Sequence, residues 1–178
     1  YSYPGTPATE IFEFIHRETL SGPPASDGGV HHVWSANEKV AYEEALGMSY
    51  AGRRALVSFK HVGLNVAADP FMNSAVTGVT GGLVVVSGDD PGMHSSQNEQ
   101  DSRMFANFAL LPCLEPHDGQ EGYDMALDAF DLSERFEVPI MMRLVTRLAH
   151  SRSGVSVRER RKANPLKPTS KTANWTLL

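Results

Sequence analysis

Residues 55–70 read ALVSFKHVGLNVAADP, a short apolar run that gives way to a polar stretch at Lys60. The run at 55–59 is typical of a buried strand, because its side chains are almost all apolar. A strand that ends in Lys60, His61 and Gly63 is poorly suited to building a core. Open α/β sheets, however, bind ligands beyond the carboxyl ends of their strands. We therefore expect this junction to belong to a ligand site.

Two other segments follow the same plan. YPGTP at residues 3–7 lies near the start of the chain, and GDDPGMHSS at residues 88–96 follows the apolar run 83–87. The carboxyl ends of parallel strands meet at one edge of a sheet. We therefore predict that all three polar loops border one shared cleft.

The remaining pattern alternates apolar runs with amphipathic segments of helical length. Such alternation predicts an α/β fold, in which a parallel sheet is flanked by helices. The Gly/Pro/Ser-rich segment 21–29 is predicted to be an exposed loop. Strands are predicted at residues 30–35, 55–59, 83–87, 110–114 and 139–144, and helices at residues 8–20, 37–50, 64–76, 97–108 and 120–136.

The composition is that of an ordinary globular protein, with 41% hydrophobic and 21% charged residues in a chain of 178. The single cysteine, Cys113, excludes an intramolecular disulfide and any Cys-rich zinc or iron–sulfur site made by this chain alone. No apolar run approaches the roughly 20 residues that span a bilayer. We expect a protein of the reducing cytoplasm that has no membrane partner.

Charge is unevenly distributed along the chain. Residues 151–178 carry seven Lys or Arg and one Glu, whereas the first 150 residues carry nine Lys or Arg and twenty acidic residues. A basic tail can bind nucleic acid. Here Pro165 and Pro168 interrupt it and Trp175 is its only aromatic residue. This pattern favours a linker toward a neighbouring domain over a nucleic-acid-binding tail.

Glu38 is the strongest candidate for a catalytic role. It lies at the start of a predicted helix, directly after the predicted strand 30–35, so it is expected to face the cleft. An acidic residue at a helix start often serves only to balance the helix dipole. The neighbouring Trp34 and Asn37 favour a ligand site instead, because several polar groups meet there beside an aromatic ring.

Lys60 and His61 together are suited to binding a carboxylate. Lysine supplies a positive charge, and histidine can donate a hydrogen bond or a proton. At the end of the last strand, Arg143 and Arg147 could bind an anion or form structural ion pairs. Both interpretations remain open from the sequence.

Asp89, Asp90 and His94 resemble metal ligands, which would suit a metal-dependent hydrolase. Asp-Pro-Gly is also a good turn sequence, and the turn is the favoured interpretation. The residues from Ser95 to Glu99 are predicted to cap and begin a helix. GxxxxGK[ST], GxGxxG and GxSxG motifs do not occur, so the sequence does not support a phosphate loop, a dinucleotide site or a serine-hydrolase elbow.

Taken in order, the motifs closely resemble those of the thiamine-diphosphate-dependent 2-oxoacid:ferredoxin oxidoreductases, and among them the alpha subunits of the indolepyruvate type. The matching segments are YPGTP at 3–7, WSANEKV at 34–40, KHVGLNVAADP at 60–70, GDDPGMHSSQNEQD at 88–101 and RLVTR at 143–147. The two longest matches, 60–70 and 88–101, are the most specific.

The resemblance implies a domain organisation. Residues 1–155 would form the thiamine diphosphate pyrimidine-binding domain of that family, shortened at its N-terminus because the family's first helix and most of its first strand precede YPGTP. Residues 156–178 would be a basic linker toward a missing downstream domain. Magnesium and 4Fe–4S clusters are expected from parts of the enzyme outside this chain.

The resemblance also implies roles for particular residues. Glu38 matches the family's cofactor-activating glutamate, which hydrogen-bonds the thiamine pyrimidine ring. Thr6 and His61 are expected to contact the cofactor, and Thr6, Lys60 and His61 the 2-oxoacid substrate. No metal ligand is assigned to this chain.

The implied activity is oxidative decarboxylation of arylpyruvates such as indolepyruvate to acyl-CoA, with electrons passed to ferredoxin. The implied partners are the 2-oxoacid, coenzyme A, ferredoxin, a beta subunit and a second copy of the chain. Two alternatives stay open: the same chemistry on another 2-oxoacid, and a non-catalytic interaction subunit. The chain is expected to be part of a longer polypeptide and inactive alone.

Overall fold

A parallel β-sheet forms the centre of the protein in the computed structural model, which describes residues 1–21 and 29–159. Over these residues the sheet has four named strands in the order β1-β2-β4-β3, all paired in parallel. Their bounds are Ala55–Lys60 (β1), Leu83–Asp89 (β2), Cys113–Leu114 (β3) and Ile140–Val145 (β4). The predicted α/β class and parallel sheet are confirmed.

Helices cover both faces of the sheet. Side chains of β2 alternate between the two faces: Leu83 and Val85 join one core cluster with residues of the second and fourth helices, whereas Val84 and Val86 join the other with Ala129 of the sixth helix. The helices are Thr9–Ser21 (α1), Glu38–Tyr50 (α2), His61–Val66 (α3), Ala68–Thr77 (α4), Arg103–Ala109 (α5), Gly119–Phe136 (α6) and Thr146–Ala149 (α7).

The start of the chain extends the sheet beyond β1. Ser2 forms isolated parallel bridges to Ser58 on one side and to Trp34 on the other. The backbone N–H of Ser35 donates to the carbonyl of Ser2 at 2.9 Å, and the N–H of Ser58 donates to the carbonyl of Tyr1 at 3.1 Å. Residues 1–3 therefore lie between β1 and the segment that leads into α2.

The predicted strand 30–35 is wrong as a strand. Among the described residues it is reduced to the bridge at Trp34, because only Ser2 pairs with it there. Likewise the predicted strand 110–114 is only Cys113–Leu114. Leu110 instead takes a left-handed conformation, with φ of 56°, that ends α5.

Two predicted helices have different bounds in the structure. Residues 64–76 were expected as one helix, but α3 begins three residues earlier, at His61, and α4 starts anew at Ala68. The predicted helix 97–108 begins only at Arg103, so the expected helix start at Ser95 is wrong. The physical reason is that Asp90 binds the backbone N–H groups of His94 and Ser95, and Asp89 binds that of Ser102, so both ends of the segment are held as a loop.

Part of the predicted loop 21–29 and most of the predicted linker 156–178 lie outside the described residues. Where the linker is described, it returns along α6: the N–H of Ser156 donates to Gln120 at 2.7 Å, and Arg158 forms ion pairs with Asp124 and Asp128. In the ranges 1–21 and 29–159, no helix has the length and apolar character needed to cross a membrane.

Phe71 should be a sensitive point of this fold. It is fully buried in the core between the sheet and α2, with its ring edge-on to Tyr42. Phe71→Ala is expected to destabilise the protein by about 3–5 kcal/mol, because a cavity replaces the ring, whereas Phe71→Leu should lose less than about 1.5 kcal/mol. Thermal unfolding of the complete polypeptide, with hydrogen exchange to localise the loss to β1 and β2, measures both. Equal stability of the two variants would contradict this packing.

Candidate functional site

The junction that carries Glu38 is fixed by short-range hydrogen bonds. Asn37 caps α2, with its side-chain oxygen accepting the N–H of Val40 at 3.0 Å. The preceding Ser35 is buried and donates its hydroxyl to Glu44, in the second turn of the helix. Asparagine is a favoured residue at this capping position. Glu38 is therefore placed at a defined first position of the helix.

Glu38 packs against the backbone of α3 at Gly63. A Cβ atom added to Gly63 would lie 2.5 Å from Cγ of Glu38 and 2.7 Å from its Oε1, far inside van der Waals contact. A side chain at position 63 would therefore force the carboxyl group of Glu38 to move from this place. Two segments that the sequence singled out separately, 34–40 and 60–70, are thus joined through one contact.

The carboxyl group of Glu38 is available to a ligand. Within residues 1–21 and 29–159, no group donates a hydrogen bond to it, and the side chain is half-buried. Over the same residues every fully buried polar side-chain atom has a partner, so the Glu38 oxygens still reach solvent. A half-buried carboxylate that receives no hydrogen bond from the protein can accept one from a ligand.

Lys60 and His61 lie where β1 ends and α3 begins. Nζ of Lys60 donates to the carbonyl of Ser95 at 2.7 Å. His61 is fully buried, with Nδ1 3.4 Å from the carbonyl of Gly88 and Nε2 3.3 Å from Oδ1 of Asn98. Lys60 is therefore the more accessible of the two, and His61 reaches the exterior through Asn98.

The loop that carries Thr6 packs beside these residues. A Cβ added to Gly5 would lie 3.0 Å from Cβ of Lys60, and one added to Gly88 would lie 3.1 Å from Cδ and Cγ of Pro7. Thr6 itself is half-buried, and the bond from Thr6 to Pro7 is cis. The structure thus brings loops 3–7, 60–63 and 88–96 together at one sheet edge, as predicted from the sequence.

Asp89 forms a buried ion pair with Arg143. Nε of Arg143 lies 2.6 Å from Oδ2 of Asp89, and both side chains are buried. Asp89 also accepts the N–H of Ser102 at 2.9 Å and its hydroxyl, and Arg143 pairs in addition with Glu115. Of the two interpretations of Arg143, the structure supports structural ion pairing.

Asp90 organises the loop that follows β2. It is fully buried and accepts hydrogen bonds from the N–H groups of His94 and Ser95, at 3.2 Å and 2.8 Å, and from the hydroxyls of Ser95, Ser96 and Thr146. Burial by itself raises the pKa of Asp90, but these hydrogen bonds, with that from Ser96 the largest, outweigh burial and lower the pKa well below its usual range.

The metal-dependent hydrolase alternative is contradicted by this arrangement. The carboxylate oxygens of Asp89 and Asp90 are taken up by Arg143, Ser102 and the 94–96 backbone and hydroxyls. No group of three His, Cys, Asp or Glu side chains within the described ranges could hold a metal ion. The two aspartates are anchors of the loop.

Asn98 is a residue that sequence reasoning missed as part of the site. It was expected in the first turn of a helix, where its side chain would contact only residues a few positions away along the chain. In the structure it lies against His61, 37 residues away. No local pattern could have revealed this contact, because it depends on how the loop folds back over the sheet edge.

Comparison with known proteins gives one family over almost the whole chain. Residues 1–176 match the family described as pyruvate flavodoxin/ferredoxin oxidoreductase, thiamine diphosphate-binding. The chain is 50% identical over 158 residues to the indolepyruvate oxidoreductase subunit IorA of Pyrococcus abyssi, a match that covers 89% of this chain and 24% of that protein. The IorA subunit of Archaeoglobus fulgidus is also 50% identical, over 86% of this chain and 24% of its own length.

The chain therefore spans about a quarter of the length of these curated relatives. Among solved structures, a 2-oxoglutarate:ferredoxin oxidoreductase from Magnetococcus marinus, with 2-oxoglutarate, coenzyme A and succinyl-CoA bound, superposes with a TM-score of 0.71. That match covers 83% of this chain and 26% of the other, at 22% identity. It shows the shared fold.

Replacing Asp90 should loosen the loop without unfolding the sheet. In Asp90→Asn the side chain has one acceptor oxygen in place of two, so amide hydrogen exchange at His94 and Ser95 is expected to accelerate about tenfold to a hundredfold, as for lost hydrogen bonds to a charged group. Asp124→Asn, on the outer surface of α6, is the control and should leave these amides unchanged. Unaltered exchange in Asp90→Asn would show that the loop is held by other contacts.

The pH dependence of the same loop follows from the lowered pKa of Asp90. A lowered pKa in the folded state means that stabilisation is complete above the unfolded pKa, near 3.9, and is lost as pH falls through the folded value. Protection of the His94 and Ser95 amides, corrected for intrinsic exchange, should therefore be constant from pH 7 to about pH 5. A loss of protection between those values would contradict the assignment.

Proposed function

Because this chain belongs to the family of thiamine-diphosphate-binding domains of the pyruvate flavodoxin/ferredoxin oxidoreductases, we propose that it is the pyrimidine-binding part of a 2-oxoacid:ferredoxin oxidoreductase of the indolepyruvate type. The observation that carries this proposal is the half-buried carboxyl group of Glu38, which packs on Gly63 and receives no hydrogen bond from the part of the chain that the structure describes. The relatives' name, indolepyruvate oxidoreductase subunit, supports an arylpyruvate as the substrate.

The residues at the sheet edge fit thiamine diphosphate. The aminopyrimidine ring offers nitrogen atoms that need a hydrogen-bonding carboxyl partner, and Glu38 is a carboxyl group that receives no hydrogen bond from residues 1–21 or 29–159. Glu38 would bind the ring nitrogen N1′ and hold a shared proton at Oε1 or Oε2. When bound, the cofactor supplies a carbon nucleophile for the 2-oxo carbon and accepts the electron pair left by carbon dioxide.

The substrate would be recognised by the loops around Glu38. Lys60 uses its ammonium group to donate to the Ser95 carbonyl, and it has no carboxylate within ion-pair distance among the residues that the structure describes. An ammonium group has three N–H donors, so two remain for the carboxylate of a 2-oxoacid. Thr6 would contact the substrate or the cofactor from the neighbouring loop. His61, which is buried behind Asn98, would contact them from the end of β1.

The rest of the enzyme would come from outside this chain. The relatives are about four times as long and are named as subunits. We infer that the magnesium site, the 4Fe–4S clusters and the contacts to coenzyme A, ferredoxin, a beta subunit and a second copy of the chain belong to those other parts. A reducing, cytoplasmic compartment suits this chemistry.

Glu38→Gln tests this function directly. The complete native polypeptide with its partner subunit should reduce ferredoxin or a viologen dye in the presence of indolepyruvate, thiamine diphosphate, magnesium and coenzyme A. In Glu38→Gln, kcat is expected to fall by about a hundredfold or more, because the amide cannot exchange a proton with the ring.

Glu43→Gln is the matched control, because Glu43 is an exposed residue on the same helix. Its kcat should equal that of the wild type. Full activity in Glu38→Gln would remove Glu38 as the activating acid. A wild-type enzyme that turns over no 2-oxoacid would favour the non-catalytic interaction subunit, and activity restricted to another 2-oxoacid would move the substrate assignment.

Gly63→Ala should act through Glu38. The added methyl group would occupy the place of the carboxyl group and displace it, so kcat is expected to fall by about tenfold or more. In the Glu38→Gln background the same substitution should have little further effect, because residues that act as a unit are not additive. Steady-state kinetics of the two single variants and the double variant measure this coupling. Fully additive losses would indicate that Gly63 matters only for folding.

A further inference from the structure

A cavity of about 530 Å³ opens at the carboxyl end of β4. Its walls include Arg143 of β4, residues 99–101 of the loop that follows β2, and Arg103 at the start of α5. Lys60 and His61 lie at the end of β1, which is two strands away from β4 in the sheet. The cavity is therefore a second concave surface at the sheet edge, and nothing in the proposed function uses it.

Arg143 presents unused hydrogen-bond donors to this cavity. Its side chain is only 6% exposed, with Nε donating to Asp89 and Nη1 to Glu115. Nη2 donates to no group of residues 1–21 or 29–159, and over the same residues no fully buried side-chain nitrogen or oxygen lacks a partner. Nη2 must therefore reach open space, which is the cavity that Arg143 lines. Its two N–H groups remain available to a ligand.

The charges around the cavity favour an uncharged ligand. The two arginines are surrounded by the carboxylates of Asp89, Glu99, Asp101 and Glu115. An added anion would be repelled by this surplus of negative charge, and an added cation would meet the unpaired N–H groups of Arg143.

Glu99 supplies an acceptor in the same cavity. Its Oε2 accepts the N–H of Gly92 at 3.1 Å, and its Oε1 accepts no hydrogen bond from the described ranges. A group that accepts from Arg143 and donates to Glu99 would satisfy both side chains. An amide is such a group, because it is uncharged and carries a carbonyl oxygen and an N–H.

The helix that starts at this cavity exposes apolar side chains. Met104, directly after Arg103, is 60% exposed, and Phe108, one turn later on the same face of α5, is 80% exposed. Leu110 is 89% exposed and has a left-handed backbone with φ of 56°, where glycine or asparagine is usual. Grouped exposed apolar residues indicate a protein contact, and methionine, aromatic residues and arginine are enriched in such contacts.

We propose that the cavity and the outer face of α5 bind a downstream segment of the same polypeptide. That segment places an uncharged amide group between Arg143 and Glu99 and apolar side chains on Met104 and Phe108. The relatives are about four times as long as this chain, so a large part of such a polypeptide needs a surface to dock on. The proposal rests on the proposed function in treating this chain as one part of a longer enzyme.

The described tail does not occupy this surface. Residues 151–158 follow α6, where Ser156 contacts Gln120 and Arg158 pairs with Asp124. α6 contributes Ala129 to the core on one face of the sheet, whereas α5 contributes Ala106 to the core on the other face. The α5 surface is therefore left open to a later part of the polypeptide.

Photocrosslinking of the complete polypeptide identifies the occupant. The variant Phe108→p-benzoylphenylalanine keeps an aromatic ring at the exposed position and reacts with whatever lies against it. The expected product has the size of one chain under denaturing conditions and joins position 108 to a peptide beyond residue 178. Phe14→p-benzoylphenylalanine, at an exposed position of α1, is the matched control and should not give this product.

Hydrogen exchange of the α5 amides in the complete polypeptide tests the chemistry of the cavity. Glu99→Gln keeps an oxygen for the N–H of Gly92 but removes the second acceptor, so protection of α5 is expected to fall about tenfold, as for a lost hydrogen bond to a charged group. Phe108→Asp should lower it at least as much, because a charge replaces an apolar contact. Glu43→Gln, an exposed glutamate of α2, is the control and should leave protection unchanged.

Several results would overturn the proposal. A cross-link to a second copy or to the partner subunit would give the surface to another chain, and the absence of any cross-link would show that nothing docks there. Wild-type protection in Glu99→Gln would remove the cavity as the anchor of the segment. Both measurements report docking and not turnover. An inactive enzyme that gives the expected cross-link would therefore remove the proposed function alone, and an active enzyme without it would remove only this surface.

Discussion

The buried ion pair between Asp89 and Arg143 is the interaction on which the cleft depends. It joins the carboxyl ends of β2 and β4, two strands that are neighbours in the sheet but lie 54 residues apart along the chain. Taking two charges out of water is unfavourable, and a buried pair persists only when further hydrogen bonds satisfy both partners. Here Ser102 completes Asp89 and Glu115 completes Arg143. The strand ends are thereby locked together, and the loops that start from them begin at fixed positions.

The next residue, Asp90, extends this order into the loop. Asp89 holds Ser102 and Arg143, whereas Asp90 holds His94, Ser95 and Ser96 with help from Thr146. Two adjacent carboxylates thus fix both ends of the loop that runs from His94 to Ser102. This resolves the ambiguity of the GDDPG sequence, because side chains saturated by protein donors are not available to a metal ion.

The residues that would bind the cofactor and the substrate differ from the residues that hold them in place. In the proposed function, Glu38, Thr6, Lys60 and His61 meet the cofactor or the substrate. Gly63 sets the place of Glu38, and Asp90 holds the loop whose Ser95 carbonyl binds Lys60. Supporting residues of this sort are needed because small displacements of a reacting group weaken catalysis strongly. The half-exposed carboxyl group of Glu38 depends on the missing side chain of Gly63 as directly as on its own helix cap.

The sequence was sufficient for the parts of the molecule that depend on local pattern. The apolar runs of β1 and β2, the long amphipathic α6 and the polar residues at the strand ends were all recognised, because burial and periodicity can be read from neighbouring residues. Glu38, Lys60 and His61 were placed at one edge for the same reason.

Contacts between distant residues required the three-dimensional fold. Residues 30–35 had the composition of a strand, but among the described residues only Ser2 pairs with Trp34, and the segment stays an isolated bridge. Ser95 and its neighbours had the composition of a helix start, yet Asp90 and Thr146 hold them in a loop. The place of Asn98 against His61 follows from that loop. Sequence pattern reports which groups a segment offers, whereas hydrogen-bond partners far along the chain establish which of them are used.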